Sequence, residues 1–88
     1  MSWTIEVKPT AEKQYLRLDK RTRKRIREAL HVLEREVNPF LNHDIRPLTG
    51  RLQGDYRLRV GDWRILITPD REKGTLYVYA ILPREDAY

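Results

Sequence analysis

The chain contains no cysteine, which excludes disulfides, thiolate metal sites and thiol nucleophiles together. Its only histidines are His31 and His43, and neither has a second histidine at ligand spacing. No metal site and no cofactor are therefore expected. No apolar run approaches the roughly 18 residues a membrane helix needs. Met1-Ser2-Trp3-Thr4 lacks the pattern of a signal peptide, so no membrane partner and a cytoplasmic location are expected. Internal repeats and low-complexity tracts are missing too. What remains is a chain of 88 residues, read as a single domain over 1–88. A domain this small buries only about 60% of its unfolded surface, which leaves a thin stability margin. Leu, Ile, Val and Phe make up 23 of the 88 residues, above the roughly 20% floor below which highly charged chains stay disordered.

Charge is plentiful. Lys and Arg number 18 against 13 Asp and Glu, a formal charge of +5, and 13 of the cations are arginine. Arginine presents a planar donor fork that matches phosphate. A solvated surface with surplus charge is the ordinary reading. Clustered arginine in a basic domain points instead to a polyanion, with nucleic acid the first candidate.

Trp3 to Lys8 alternates apolar and polar residues, the period of a half-buried strand. Pro9 ends it, and Thr10 reads as the N-cap of a short helix whose face carries Ala11, Tyr15 and Leu18. A second helix is expected from Thr22 to Val37, with Ile26, Ala29, Leu30, Leu33 and Val37 as its stripe, stopped by Asn38-Pro39. The short join between the helices predicts a helical hairpin. Residues 38–54 read as loop, anchored by Leu48 and Leu52. Three strands follow, 55–60, 63–68 and 75–82, the first two joined by Gly61-Asp62, with glycine where a II′ turn requires it. The order β-α-α-β-β-β predicts an α+β fold: a twisted antiparallel sheet with the helical hairpin packed on one face.

A two-residue turn fixes register. Val60 then faces Trp63, Leu58 faces Ile65 and Tyr56 faces Ile67 on the apolar face, while Arg59 faces Arg64 and Arg57 faces Leu66 on the other. If Thr68 pairs with Thr75, Arg64 lies beside Tyr79, Leu66 lies beside Tyr77, and Leu76, Val78, Ala80 and Leu82 continue the apolar face. The second face would then gather Arg57, Arg59, Arg64, Tyr77 and Tyr79. Like charges directly opposite on a sheet are destabilising, and an anionic ligand relieves the conflict. Tyrosines among arginines offer surfaces on which bases stack. A second basic group, Lys20, Arg21, Arg23, Lys24, Arg25 and Arg27, crowds the start of the second helix, where cations oppose the helix dipole. It is read as a contact for RNA or ribosome backbone.

The stretch from Leu52 to Ile65, with Tyr56-Arg57-Leu58-Arg59-Val60-Gly61-Asp62-Trp63-Arg64 at its centre, resembles the RelE/ParE superfamily of toxin–antitoxin toxins. The pattern extends over nearly the whole chain and includes the ending Arg84-Glu85-Asp86-Ala87-Tyr88. The resemblance implies a type II toxin with a cognate antitoxin as partner, monomeric when free. RelE-like toxins enter the ribosomal A site and cut mRNA, whereas ParE-like toxins inhibit DNA gyrase without being nucleases. The ending favours the RelE-like branch, with ribosome and mRNA as further partners. In that branch Arg57, Arg59, Arg64, Arg84 and Tyr88 match active-site positions. The resemblance implies a clamp of Arg57, Arg59 and Arg64 on the scissile phosphate, Arg84 at the leaving oxygen and Tyr88 near the base or phosphate. Two departures stand out: Pro83, where relatives often carry a basic residue, and Arg59, where a lysine serves as base. An arginine stays charged at any ordinary pH, which leaves Glu85, Asp86 and Asp55 as alternative bases. Inhibition of gyrase and plain nucleic-acid binding are the competing readings.

Overall fold

A computed structural model describes residues 3–87. Chain order is β1 (Thr4–Val7), α1 (Pro9–Leu16), α2 (Lys20–Arg35), β2 (Ile45–Pro47), β3 (Tyr56–Val60), β4 (Trp63–Asp70) and β5 (Thr75–Pro83), with 3-10 turns at Pro39–Leu41, Gly50–Leu52 and Arg84–Asp86. The α+β class and the expected succession hold. The short strand β2, inside the stretch read as loop, is an addition.

The five strands lie in the order β1-β5-β4-β3-β2. Neighbours from β2 to β5 are antiparallel, but β1 pairs with β5 in parallel, so the sheet is mixed. The hairpin to β4 occupies one edge of β5, and β1 takes the other. A long crossover through both helices separates β1 from β5, and a connection of that length permits a parallel pair where a tight hairpin does not.

Local chemistry sets the helix ends. Pro9 sits in the first turn of α1, with Lys8 as its cap and no side-chain cap bond, so Thr10 lies inside the helix. Proline suits that place because its missing N–H would have no helical partner. α2 starts two residues before Thr22 because Asp19 caps it, its carboxylate accepting from the Thr22 amide at 3.2 Å. Those hydrogen bonds hold the Asp19 carboxyl below its ordinary pKa. α2 ends at Arg35 rather than Val37, and Val37 is exposed instead of joining the stripe.

Ala11, Ile26 and Leu33 meet Leu58, Ile65, Ile67, Leu76 and Val78 in the core between helices and sheet. Trp63 and Leu30, expected on the apolar face and stripe, are only partly buried and pack against this core. A second, smaller cluster occupies the other face, where Leu48 and Leu52 pack on Leu66, Ala80 and Leu82.

A β-bulge explains that second cluster. The β3–β4 register is as expected, with Arg59 opposite Arg64. Gly61 has φ +59 and Asp62 is not positive, the signs a II′ turn demands. Between β4 and β5, Thr68 pairs with Tyr77 rather than Thr75, Leu66 with Ala80, and Ile67 with Val78. Tyr79 is the extra residue. A bulge shifts the in–out alternation by one, so Leu76 and Val78 face the helices while Ala80 and Leu82 face away.

Candidate active site

The bulge divides the open face of the sheet into two ends. It sets Arg64 opposite Leu82 instead of beside Tyr79. The expected single gathering of arginines and tyrosines is therefore two separate groups.

The tyrosine end lies toward the β4–β5 turn. The Tyr79 hydroxyl donates to Asp55 Oδ2 at 2.8 Å, and Thr68 Oγ1 donates to Asp55 Oδ1 at 3.0 Å. Burial, then the bond to Asp55 and its negative charge, pushes the Tyr79 phenol above its ordinary pKa. The Lys8 ammonium stands 4.5 Å over the Tyr77 ring. Tyr79, Thr68 and Asp55 thus satisfy one another. Both Asp55 carboxylate oxygens accept a hydrogen bond here, at the end of the face away from Arg64.

The arginine end surrounds the Gly61-Asp62 turn. Arg64 is 9% exposed, and its Nη1 donates to the carbonyls of Gly61 and Trp63, each at 3.0 Å. The Arg84 amide donates to the Asp62 carbonyl at 2.8 Å, which anchors the final 3-10 turn and leaves the Arg84 side chain exposed. Arg25 reaches across from α2 so closely that a Cβ on Gly61 would lie 3.0 Å from both terminal guanidinium nitrogens. With Arg59 it lines a hollow of about 370 Å3. Four arginines from α2, β3, β4 and the C-terminal turn thus converge on two residues. A two-residue connection can hold them because glycine accepts the positive φ and leaves room for Arg25.

Deeper along the same face, Arg46 on β2 stands opposite Arg57 on β3. With Arg59 opposite Arg64 this makes two like-charged cross-strand pairs on adjoining strands, each costing a fraction of a kcal/mol, about 0.2–1. Asp44 is the one carboxylate bound to these arginines among the described residues. Its Oδ1 accepts from Arg59 Nη2 at 2.9 Å and its carbonyl from Arg57 Nη1 at 3.5 Å. Asn42 fixes it by accepting from the Asp44 amide at 2.8 Å.

Arg57, Arg59 and Arg64 share one face of β3 and β4, as the register predicts, and the Arg84 backbone is tied to the turn beside them. Tyr77 and Tyr79 do not join them. Tyr88 lies outside the described residues. Sequence reasoning missed Arg46 because a three-residue strand ending in proline carries too short an alternation, and missed the placement of Arg25 because only packing of α2 reveals it. The six α2 cations divide: Arg25 turns to the hairpin, Arg21 is exposed, and Lys20, Arg23, Lys24 and Arg27 share another face. His31 and His43 are exposed beside Glu34 and Asp44. No group of three or more potential metal-ligating side chains occurs among the described residues, and no helix among them is long and apolar enough to cross a membrane.

Two helices on one face of a five-stranded mixed sheet, with the opposite face left cationic, define a known class of small toxins. The RelE–RelB complex of Pyrococcus horikoshii matches with TM-score 0.79 and 26% identity over 99% of this chain and 100% of that one. The RelBE2 toxin–antitoxin complex of Mycobacterium tuberculosis matches with TM-score 0.81 and 28% identity over 98% and 95%. A YoeB/ParE toxin from Agrobacterium tumefaciens shares the fold, with TM-score 0.75 at 19% identity over 91% and 96%. No curated protein sequence matches. The family model described as ParE toxin of type II toxin-antitoxin system, parDE, matches residues 5–88. The chain belongs to that family, within the RelE/ParE superfamily, and is a toxin of a type II toxin–antitoxin system.

Proposed function

We propose that this toxin is a ribosome-dependent endoribonuclease that cuts mRNA in the A site and so stops translation. The observation that carries the reading is the arginine end: cations from four elements around one turn, next to like-charged cross-strand pairs, with Asp44 as their one bound carboxylate. An RNA phosphate relieves that repulsion.

The reaction requires the 2′-hydroxyl to lose its proton and its oxygen to attack phosphorus. The bond to the 5′-oxygen breaks, and that oxygen takes up a proton, leaving a 2′,3′-cyclic phosphate and a 5′-hydroxyl. Charge builds on the phosphorane oxygens, and donors fixed in advance stabilise it most. Arg64, buried and tied to two carbonyls, is such a fixed charge. Arg59 and Arg57 hold the phosphate from β3, and Arg84 sits where the leaving oxygen departs. Tyr88 joins them by resemblance, near the base. Glu85 and Asp86, exposed in the C-terminal turn beside Arg84, are the carboxylates available to accept the 2′ proton. This inventory suits a catalyst that relies on positioning and charge, with the ribosome bending the mRNA.

Away from the ribosome the toxin's partner is its cognate antitoxin. Supporting this, an apolar groove of about 500 Å3 runs between α1, α2 and the edge strand β1, floored by Ile5, Leu30, Val78 and Ile81. Val7 and Leu16 on its rim are exposed.

A second reading is favoured by the family match to ParE: a non-enzymatic inhibitor of DNA gyrase. Adding the purified protein to a translating extract and to a gyrase supercoiling assay separates the two. The nuclease reading expects new mRNA ends inside the A-site codon and unaltered supercoiling. Blocked supercoiling with intact mRNA would replace it with the gyrase reading.

A further inference from the structure

The hoop of chain after β2 builds a hollow on the open face, next to the arginine end. The Leu48 amide donates to the Asp55 carbonyl at 2.9 Å, and inside that closure the Gln53 and Asp55 amides donate to the Gly50 and Leu52 carbonyls. These bonds fix the segment that lays Leu48 and Leu52 on Leu66. The hollow, of about 450 Å3, is lined by Arg46, Pro47, Leu48, Thr49, Leu52 and Arg57. It joins two chemistries. Pro47, Leu48 and Leu52 give an apolar floor. Arg46 and Arg57, opposite each other across β2 and β3, give a pair of guanidinium forks. Arg46 is exposed and forms no ion pair among the described residues. Arg57 has one long bond, to the Asp44 carbonyl at 3.5 Å. The Thr49 side chain does not cap the 3-10 turn that it precedes, which leaves its hydroxyl to another partner.

We propose that this hollow binds a nucleotide, with its phosphate between Arg46 and Arg57 and its base laid on Pro47, Leu48 and Leu52. An inorganic anion would satisfy the guanidinium pair and leave the apolar floor wet. A purely apolar ligand would leave two like charges opposed. A nucleotide answers both, and a guanidinium stacks on an aromatic ring as well as gripping a phosphate. The volume lies within the range of about 300–1,000 Å3 that small-ligand sites occupy. Arg57 and Arg59 are two residues apart on β3, about 6.8 Å, which is of the order of the step between consecutive phosphates in an extended RNA strand. The hollow is thus placed to hold the nucleotide next to the scissile phosphate, with Arg57 bridging the two phosphates, and Arg46 weighs the base beside the cut. That placement rests on the nuclease reading, whereas nucleotide binding does not. A free nucleotide presents the same chemistry.

The test titrates the whole protein with guanosine 5′-monophosphate, adenosine 5′-monophosphate and inorganic phosphate at constant ionic strength, followed by NMR. Saturable shifts are expected at the Arg46, Leu48, Thr49 and Leu52 amides with a nucleotide, at concentrations where inorganic phosphate moves them little. Arg46→Gln should weaken nucleotide binding about tenfold, the loss of one charge-assisted bond. Arg51→Gln makes the same charge change in the adjoining 3-10 turn, outside the hollow, and should leave binding as it was. Equal binding of inorganic phosphate, no saturable shift with either nucleotide, or an equal loss in Arg51→Gln would overturn the site. On translating ribosomes, primer extension should show Arg46→Gln still cutting, with a changed distribution of cuts among A-site codons, and Arg51→Gln cutting like wild type. Nucleotide binding with an unchanged distribution would overturn the role in mRNA, assign the hollow to free nucleotides and leave the nuclease reading intact. Nucleotide binding by a wild type that cuts nothing would defeat the nuclease reading and leave the site standing.

Discussion

The two ends of the open sheet face behave as opposites. At the tyrosine end, Tyr79, Thr68 and Asp55 satisfy one another, and Lys8 covers Tyr77. At the arginine end, Arg46, Arg57, Arg59 and Arg64 crowd across three strands with one carboxylate among them. A closed polar network adds stability and has little left to offer a ligand. An uncompensated cation cluster costs stability and is relieved only by something that arrives. That difference is the reason the proposed function is placed at the arginine end.

The largest way to disturb that contrast is to remove what lies between the ends. Leu66 is buried on the open face under the 48–52 loop. Leu66→Ala should cost about 2–5 kcal/mol in a denaturant titration and weaken both ends together. Next is Arg64→Ala, expected to lower mRNA cutting by about 100- to 1,000-fold, the usual effect of losing one fixed donor at developing charge. If cutting survives, the arginine end is only a binding face.

Tyr79→Phe should cost about 1 kcal/mol and leave cutting unchanged. It also carries a pH signature. The folded phenol holds its proton above the ordinary value of 10.0, whereas the unfolded phenol does not. Its contribution is therefore complete below that pH and is lost as pH rises from there toward the folded value. Wild-type stability should fall faster than that of Tyr79→Phe above pH 10.0, and parallel curves would contradict the network. The smallest effect is Asp44→Asn. The exposed pair with Arg59 contributes about 0–1 kcal/mol, so stability should hardly change while RNA affinity at low salt rises. An unchanged affinity would mean that Asp44 does not compete with phosphate.

Much of this contrast was legible in the residues, and its boundary was not. The Gly61-Asp62 turn fixed the β3–β4 register, which put Arg57, Arg59 and Arg64 on one face. The bulge at Tyr79 left no such mark. Leu76, Val78, Ala80 and Leu82 alternate without a break, so a regular strand and a bulged one read alike, and only packing of Leu66 against Ala80 decides between them. The mixed sheet escaped for a similar reason, since the direction of β1 follows from which edge of β5 is free. Arg46 and Arg25 joined the arginine end through a three-residue strand and a helix–turn contact, both tertiary facts. α2 starts at Lys20 rather than Thr22 because the Asp19 side chain caps it, a contact that the apolar stripe does not mark.

The most direct measurement compares mRNA cutting on translating ribosomes by wild type, Arg84→Ala and Tyr79→Phe, with ends mapped by primer extension and folding checked by thermal denaturation. Arg84 is exposed and Tyr79 partnered, so both variants should fold. The account predicts A-site cuts by wild type and Tyr79→Phe and their loss in Arg84→Ala. Equal cutting by Arg84→Ala and wild type, or loss in Tyr79→Phe alone, would contradict it.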